Sequence, residues 1–126
     1  MVTYIYAGLF GVMLVGLSLQ VVFNRKRSQV ALGDNNHVLL QRAIRAQGNF
    51  TEYVPLALLL LYMVETTYQN PLIAHGLGLS LLIGRVLHAL GIARQPEPLI
   101  FRQVGMGLTF TALLVSSILL LIAALT

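Results

Sequence analysis

Four long apolar runs, separated by three short polar breaks, account for almost the whole chain. The first, Val2 to Phe23, is long enough to cross roughly 30 Å of hydrocarbon, and its one strongly polar side chain is Gln20. Gly8, Gly11 and Gly16 dot this run, a small-residue pattern that permits close helix approach. Asn24-Arg25-Lys26-Arg27-Ser28 ends it. A polar connection through Gly33-Asp34-Asn35-Asn36 then offers Asp34, Asn35 or Asn36 as a cap for the next helix. That second helix is expected over residues 37–67, longer than a bare span, with Pro55 inside it to kink or loosen it. Glu65 to Pro71 reads as a tight turn, and Leu72 to Ala93 as a third helix. Gln95-Pro96-Glu97-Pro98 is the clearest loop, and a fourth helix runs from about Leu99 to the end. The pattern predicts one domain, an all-α integral membrane four-helix bundle with spans near residues 2–24, 37–67, 72–93 and 99–125. No basic segment precedes the first run and no small-residue cleavage site follows it, so it is expected to be a retained span and not a signal peptide.

One stretch breaks the apolar pattern. Arg42-Ala43-Ile44-Arg45-Ala46-Gln47-Gly48-Asn49-Phe50-Thr51-Glu52 leads into the apolar part of the second helix with no loop signal between them. At 100° per residue, Arg42, Arg45, Asn49 and Glu52 fall within an arc of about 80° and form one polar stripe. An ionisable group at the centre of a span costs roughly 2.5–3.5 kcal/mol on insertion scales, so such groups usually face a protein interior and serve a purpose there.

Composition agrees with the membrane reading: 57% of the 126 residues are hydrophobic and 10% are charged, against about 25% charged in a soluble domain. There is no cysteine, which excludes disulfides, thiolate metal sites and a cysteine nucleophile. The net charge of +4 has a simpler cause than nucleic acid, which is not expected as a partner. All eight basic residues (Arg25, Lys26, Arg27, Arg42, Arg45, Arg85, Arg94 and Arg102) lie at the first or third connection or on the adjoining helix halves. The positive-inside rule then places those two connections in the cytoplasm and both termini outside.

This topology brings Arg25, Arg42, Arg45, Asn49, Glu52, Arg85, His88 and Arg102 toward one depth, as an anion-receptive pocket containing one carboxylate. A helix start beside Arg102 adds partial positive charge and free N–H groups. Taken singly, each residue has a plainer role. Glu52 neutralises an arginine, Arg42 snorkels to headgroups, Arg25 to Arg27 set topology, and Asn49 and His88 bond within the bundle. Only their convergence favours a ligand. His37, His75 and His88 fall at different depths, so no metal site is expected, and no hydrolytic or nucleotide-binding motif is visible.

Arg42-x-x-Arg45-Ala46-x-x-Asn49-x-x-Glu52 in the second span resembles the signature of the MAPEG family, the membrane-associated proteins in eicosanoid and glutathione metabolism. Gly84-Arg85-Val86-x-His88 and Arg102 fit the same pattern, and the likeness extends over essentially the whole chain. The resemblance implies a homotrimer of four-helix subunits in a bacterial inner membrane, with glutathione as co-substrate between subunits near the cytoplasmic side. It implies that Arg45, Asn49 and Glu52 hold the tripeptide's carboxylates and amino group, and that His88 adds a contact. Arg25 would reach in from the neighbouring subunit, and Arg102 would stabilise the glutathione thiolate. A small hydrophobic electrophile would arrive from the lipid bilayer.

Four positions depart from the eicosanoid-forming members. Gln47 stands where a histidine is common. Gln103 follows Arg102 where the prostaglandin-forming synthase has a serine, and Ile92 and Met106 stand where that enzyme carries tyrosines. A prostaglandin or leukotriene substrate is therefore not expected. The resemblance implies a glutathione-dependent transferase or peroxidase. Two other readings stay open: a small four-span multidrug or cation transporter using Glu52, and a non-catalytic bundle whose charges are only internal pairs.

Overall fold

The computed structural model describes residues 1–126 as four helices with no strand: α1 (Val2–Ser28), α2 (Val38–Tyr68), α3 (Pro71–Ala93) and α4 (Leu99–Leu125). α1, α3 and α4 each contain a stretch long and apolar enough to cross a membrane. α2 falls short by composition because its first half carries the polar stripe, yet its 31 residues extend roughly 46 Å at 1.5 Å each. It is also the helix around which the bundle is built. Leu40, Ala43, Ala46, Phe50, Val54, Ala57, Leu61 and Val64 are buried at steps of three or four, one face turned to the core. α2 packs against all three other helices, while α1 and α4 do not touch within the chain. Phe10 of α1 meets Phe50 of α2 edge to face, with centroids 5.9 Å apart.

α3 and α4 form the closest seam, because glycines face each other across it. A Cβ on Gly105 would lie 2.6 Å from the Gly84 carbonyl oxygen and 2.7 Å from the His88 backbone nitrogen. A Cβ on Gly84 would lie 2.7 Å from the Gly105 carbonyl oxygen. The two backbones therefore nearly touch just where Arg85 and His88 leave α3. The close approach expected of the α1 glycines is not found in the chain: a Cβ on Gly8, Gly11 or Gly16 would meet nothing within 4 Å.

The helix ends explain the other differences from the sequence reading. α1 continues to Ser28 because Arg25, Lys26 and Arg27 occupy its last turn, where cations complement the helix dipole. Asp34, Asn35 and Asn36 do not cap α2. Asp34 Oδ1 accepts from Asn36 N at 2.9 Å, and Asn35 and Asn36 are left-handed, so these residues make the turn itself. His37 stands at the cap position without a side-chain bond. Asn70 does cap α3, accepting from Leu72 N at 2.9 Å with Pro71 in the first turn. α2 runs unbroken through Pro55.

At the end of the bundle away from the basic residues, Glu65 of α2 closes the start of α1. Its carboxylate accepts from Val2 N at 2.6 Å, Thr3 N at 2.8 Å and the Thr3 hydroxyl at 2.6 Å. This is an N-cap supplied from another helix. Glu65→Ala is expected to cost about 1–2 kcal/mol and to fray the first turn. Hydrogen exchange at the amides of residues 2–5 would rise if so.

Candidate functional site

The polar side chains of the second, third and fourth helices meet at the basic end of the bundle. Arg45 and Asn49 from α2, His88 and Ile92 from α3, and Arg102 and Met106 from α4 line a cleft of about 280 Å³. A second cleft of about 190 Å³ lies against it, between Val38, Gln41, Arg42, Arg45, Ile92 and Arg102. A third, about 260 Å³, is bounded by Leu99, Arg102, Gln103 and Met106. Arg102 is common to all three, so they form one branched groove with its guanidinium at the junction. A larger cleft of about 450 Å³ lies at the other end, but the Glu65 oxygens facing it are already taken by α1.

Arg85 lies beneath the groove, not in its wall. It is 1% exposed, with Nε donating to Thr109 Oγ1 at 3.1 Å and a terminal nitrogen bonded to Asn49 Oδ1. Its second terminal nitrogen meets Met106 sulfur at 3.1 Å. The guanidinium also stands 5.9 Å from the Tyr53 ring centroid. Arginine has no acceptor, so Asn49 must turn its carbonyl toward Arg85. Its amide NH2 is thereby left for the cleft. Asn49 thus offers donors to a ligand, and the group it can receive is an acceptor such as a carboxylate or carbonyl.

The acidic partners differ in how firmly they are held. Glu52 and Arg45 approach to 3.4 Å with both side chains about half exposed, 50% and 57%, a pair worth at most about 1 kcal/mol. Glu97, in the connection between α3 and α4, is the more deeply placed acid. Its carboxylate sits 2.8 Å from Arg102 and 3.3 Å from Arg42, with 11% of the side chain exposed. Arg42 also donates to the Ile92 carbonyl at 3.1 Å, while its buried Nε has no partner. Four guanidinium groups thus surround the groove or support it, against two carboxylates. The excess favours an anion.

Arg25 is not brought to the groove. Its guanidinium donates to Gly33 O at 2.7 Å and Val30 O at 3.2 Å, inside its own connection. No group of three histidine, aspartate or glutamate side chains converges as a metal ion requires.

Residues 3–122 match the family model described as MAPEG family. This chain belongs to the MAPEG family. It is an integral membrane protein, and its four helices are the family's membrane bundle. The inner membrane protein YecN of Escherichia coli (strain K12) is 37% identical to it over 114 residues, covering 90% of this chain and 86% of that protein. YecN of Escherichia coli O6:H1 matches to the same extent.

In this MAPEG chain the four departures noted above separate into two kinds. Gln47 points away from the groove, donating to the Ser18 hydroxyl of α1 at 2.9 Å. It joins two helices and lines none of the three clefts. Ile92, Gln103 and Met106 all line the groove. Those three place an aliphatic side chain, an amide and a thioether beside Arg102.

Proposed function

We propose that this chain binds glutathione in the groove around Arg102 and uses it as a transferase or peroxidase acting on hydrophobic electrophiles. The observation that carries the proposal is the convergence of Arg45, Asn49, His88 and Arg102 from three helices on one electropositive cleft. Glutathione brings two carboxylates, one ammonium group and a thiol. The arginines and the Asn49 amide suit the carboxylates, and the loosely paired Glu52 suits the ammonium. Glu52 is already beside Arg45, which weighs against a cation-transport role.

Arg102 lies in the first turns of α4, where no side chain caps the helix start. A guanidinium and a helix N-terminus both favour the thiolate over the thiol, and the thiolate is the nucleophile. Its sulfur would bond to the electrophilic carbon as a leaving group such as halide departs with the bonding pair. The apolar wall of Ile92 and Met106 suits a lipid-soluble partner.

Each branch of the groove is smaller than the roughly 300–1,000 Å³ usual for ligand sites. A second subunit completing it accounts for this, and the exposed apolar faces of α1 and α4 leave room for such contacts and for lipid. We take the assembly to be a homotrimer in a bacterial inner membrane, with the basic end cytoplasmic and both termini outside. Arg25 would then leave its own connection to serve the neighbouring site.

Arg45→Ala and Glu52→Gln are each expected to weaken glutathione binding about tenfold, the loss of one charge-assisted hydrogen bond. Calorimetric titration of the purified variants checks this. Affinities unchanged in both would remove the α2 stripe from the site.

A further inference from the structure

Glu97 stands apart from the rest of its loop. Arg94, Gln95 and Pro96 are exposed, whereas the Glu97 side chain turns inward to 11% exposure. It is the only side chain of residues 94–98 that hydrogen-bonds to another element, reaching Arg42 on α2 and Arg102 on α4. The carboxylate therefore bridges two cations that border the same branch of the groove. It holds the Arg42 and Arg102 guanidinium nitrogens from beside the clefts, without lining any of them. Arg42 gains only part of what it offers, since its buried Nε stays without a partner.

We propose that Glu97 is a built-in competing anion: it occupies the Arg42–Arg102 subsite in the ligand-free chain, and a ligand carboxylate or thiolate takes its place. Displacement would loosen the 94–98 segment, leaving Arg94 against the Phe101 ring, 5.5 Å from its centroid, but no side-chain hydrogen bond to another element. Glu97 would thus restrict the subsite to anions able to outcompete an intramolecular carboxylate. This rests on the proposed function for the identity of the ligand, but the exchange itself requires only an anion.

The opposite possibility is that Glu97 orients Arg102 for the ligand, and the sign of one substitution separates the two. Glu97→Gln keeps the shape of the side chain and removes the competing charge. It is expected to bind glutathione about three to ten times more tightly than the wild type, in keeping with the loss of a partly exposed pair of ion contacts. Glu52→Gln adds the same unit of positive charge and is expected to weaken binding, so general charge does not account for a gain. A second readout does not depend on glutathione. Trypsin should cut the full-length protein in detergent slowly between Arg94 and Gln95, and the Glu97→Gln variant several times faster, with the 1–94 fragment identified by mass. Replacing chloride by inorganic sulfate at constant ionic strength should raise the wild-type rate toward that of the variant and leave the variant unchanged.

Weaker glutathione binding by Glu97→Gln, or cleavage at the wild-type rate in either sulfate or chloride, would overturn the proposal. Failure of the wild type to bind glutathione would count against the proposed function alone, since the sulfate experiment still decides the role of Glu97.

Discussion

Arg102→Ala is expected to lower the rate of glutathione conjugation to a generic aryl halide by about 10²–10³-fold, the usual effect of removing one preorganised donor to an anion. Glutathione affinity should fall much less, because Arg45, Asn49 and Glu52 do not depend on Arg102 for their positions. The geometry motivates this division. Arg102 is the one residue shared by all three branches of the groove, and it opens α4, where the helix dipole adds to its charge. The pH profile gives a sharper reading than the rate alone. If the proposed function holds, the bound thiol ionises at a lowered pKa with Arg102 present, and the rate should already be at its plateau near neutrality. Without it, the rate should keep rising through about pH 8.5, where an unassisted thiol ionises. A flat profile in the alanine variant would show that Arg102 does not act on the thiolate.

Gly105→Ala is expected to destabilise the bundle by about 3 kcal/mol, the upper part of the range for overpacking, because the added methyl runs into the backbone of α3. Its neighbours would be the Gly84 carbonyl oxygen and the His88 backbone nitrogen, at 2.6 and 2.7 Å. Neither can rotate away as a side chain does. α3 and α4 must separate instead, which moves His88 and the Arg85–Thr109 bond that spans the seam. Gly107→Ala provides the matched control two residues along the same helix, since a Cβ there meets nothing within 4 Å. It should be neutral or stabilising by up to about 1 kcal/mol, the helix-propensity gain. Thermal denaturation in detergent compares the pair. Equal stability of the two variants would mean that the glycine seam does not hold the site together.

The sequence made the helices legible because apolar runs of span length and the residues between them are local signals. It also exposed the polar stripe, since Arg42, Arg45, Asn49 and Glu52 share one face by helical geometry alone. What escaped were contacts with no spacing to announce them. Glu97 reads as one acid between two prolines, and only the fold carries it to Arg42, 55 residues away. Glu65 reads as part of a turn, and only the antiparallel packing of α1 and α2 brings it to Val2 and Thr3. The glycines point the same way. Those of α1 look like a packing face in the sequence, but Gly84 and Gly105 are the ones that oppose each other. Arg85 appears beside His88 in the sequence as an equal candidate. Both are buried, and only their place against the cleft separates them, with Arg85 underneath it supporting Asn49 and His88 in its wall.

Under the proposed function the groove has a division of labour. Arg45, Asn49 and Glu52 would hold the ligand, Arg85 fixes the orientation of Asn49, Arg102 would act on sulfur, and Glu97 would compete for the arginines until a ligand arrives. The whole scheme stands on glutathione being the ligand. Calorimetric titration of the wild-type protein in detergent tests this most directly. A saturable heat with a dissociation constant at or below about 1 mM, weakening as salt is raised, is the expected result. No heat at millimolar glutathione would contradict it.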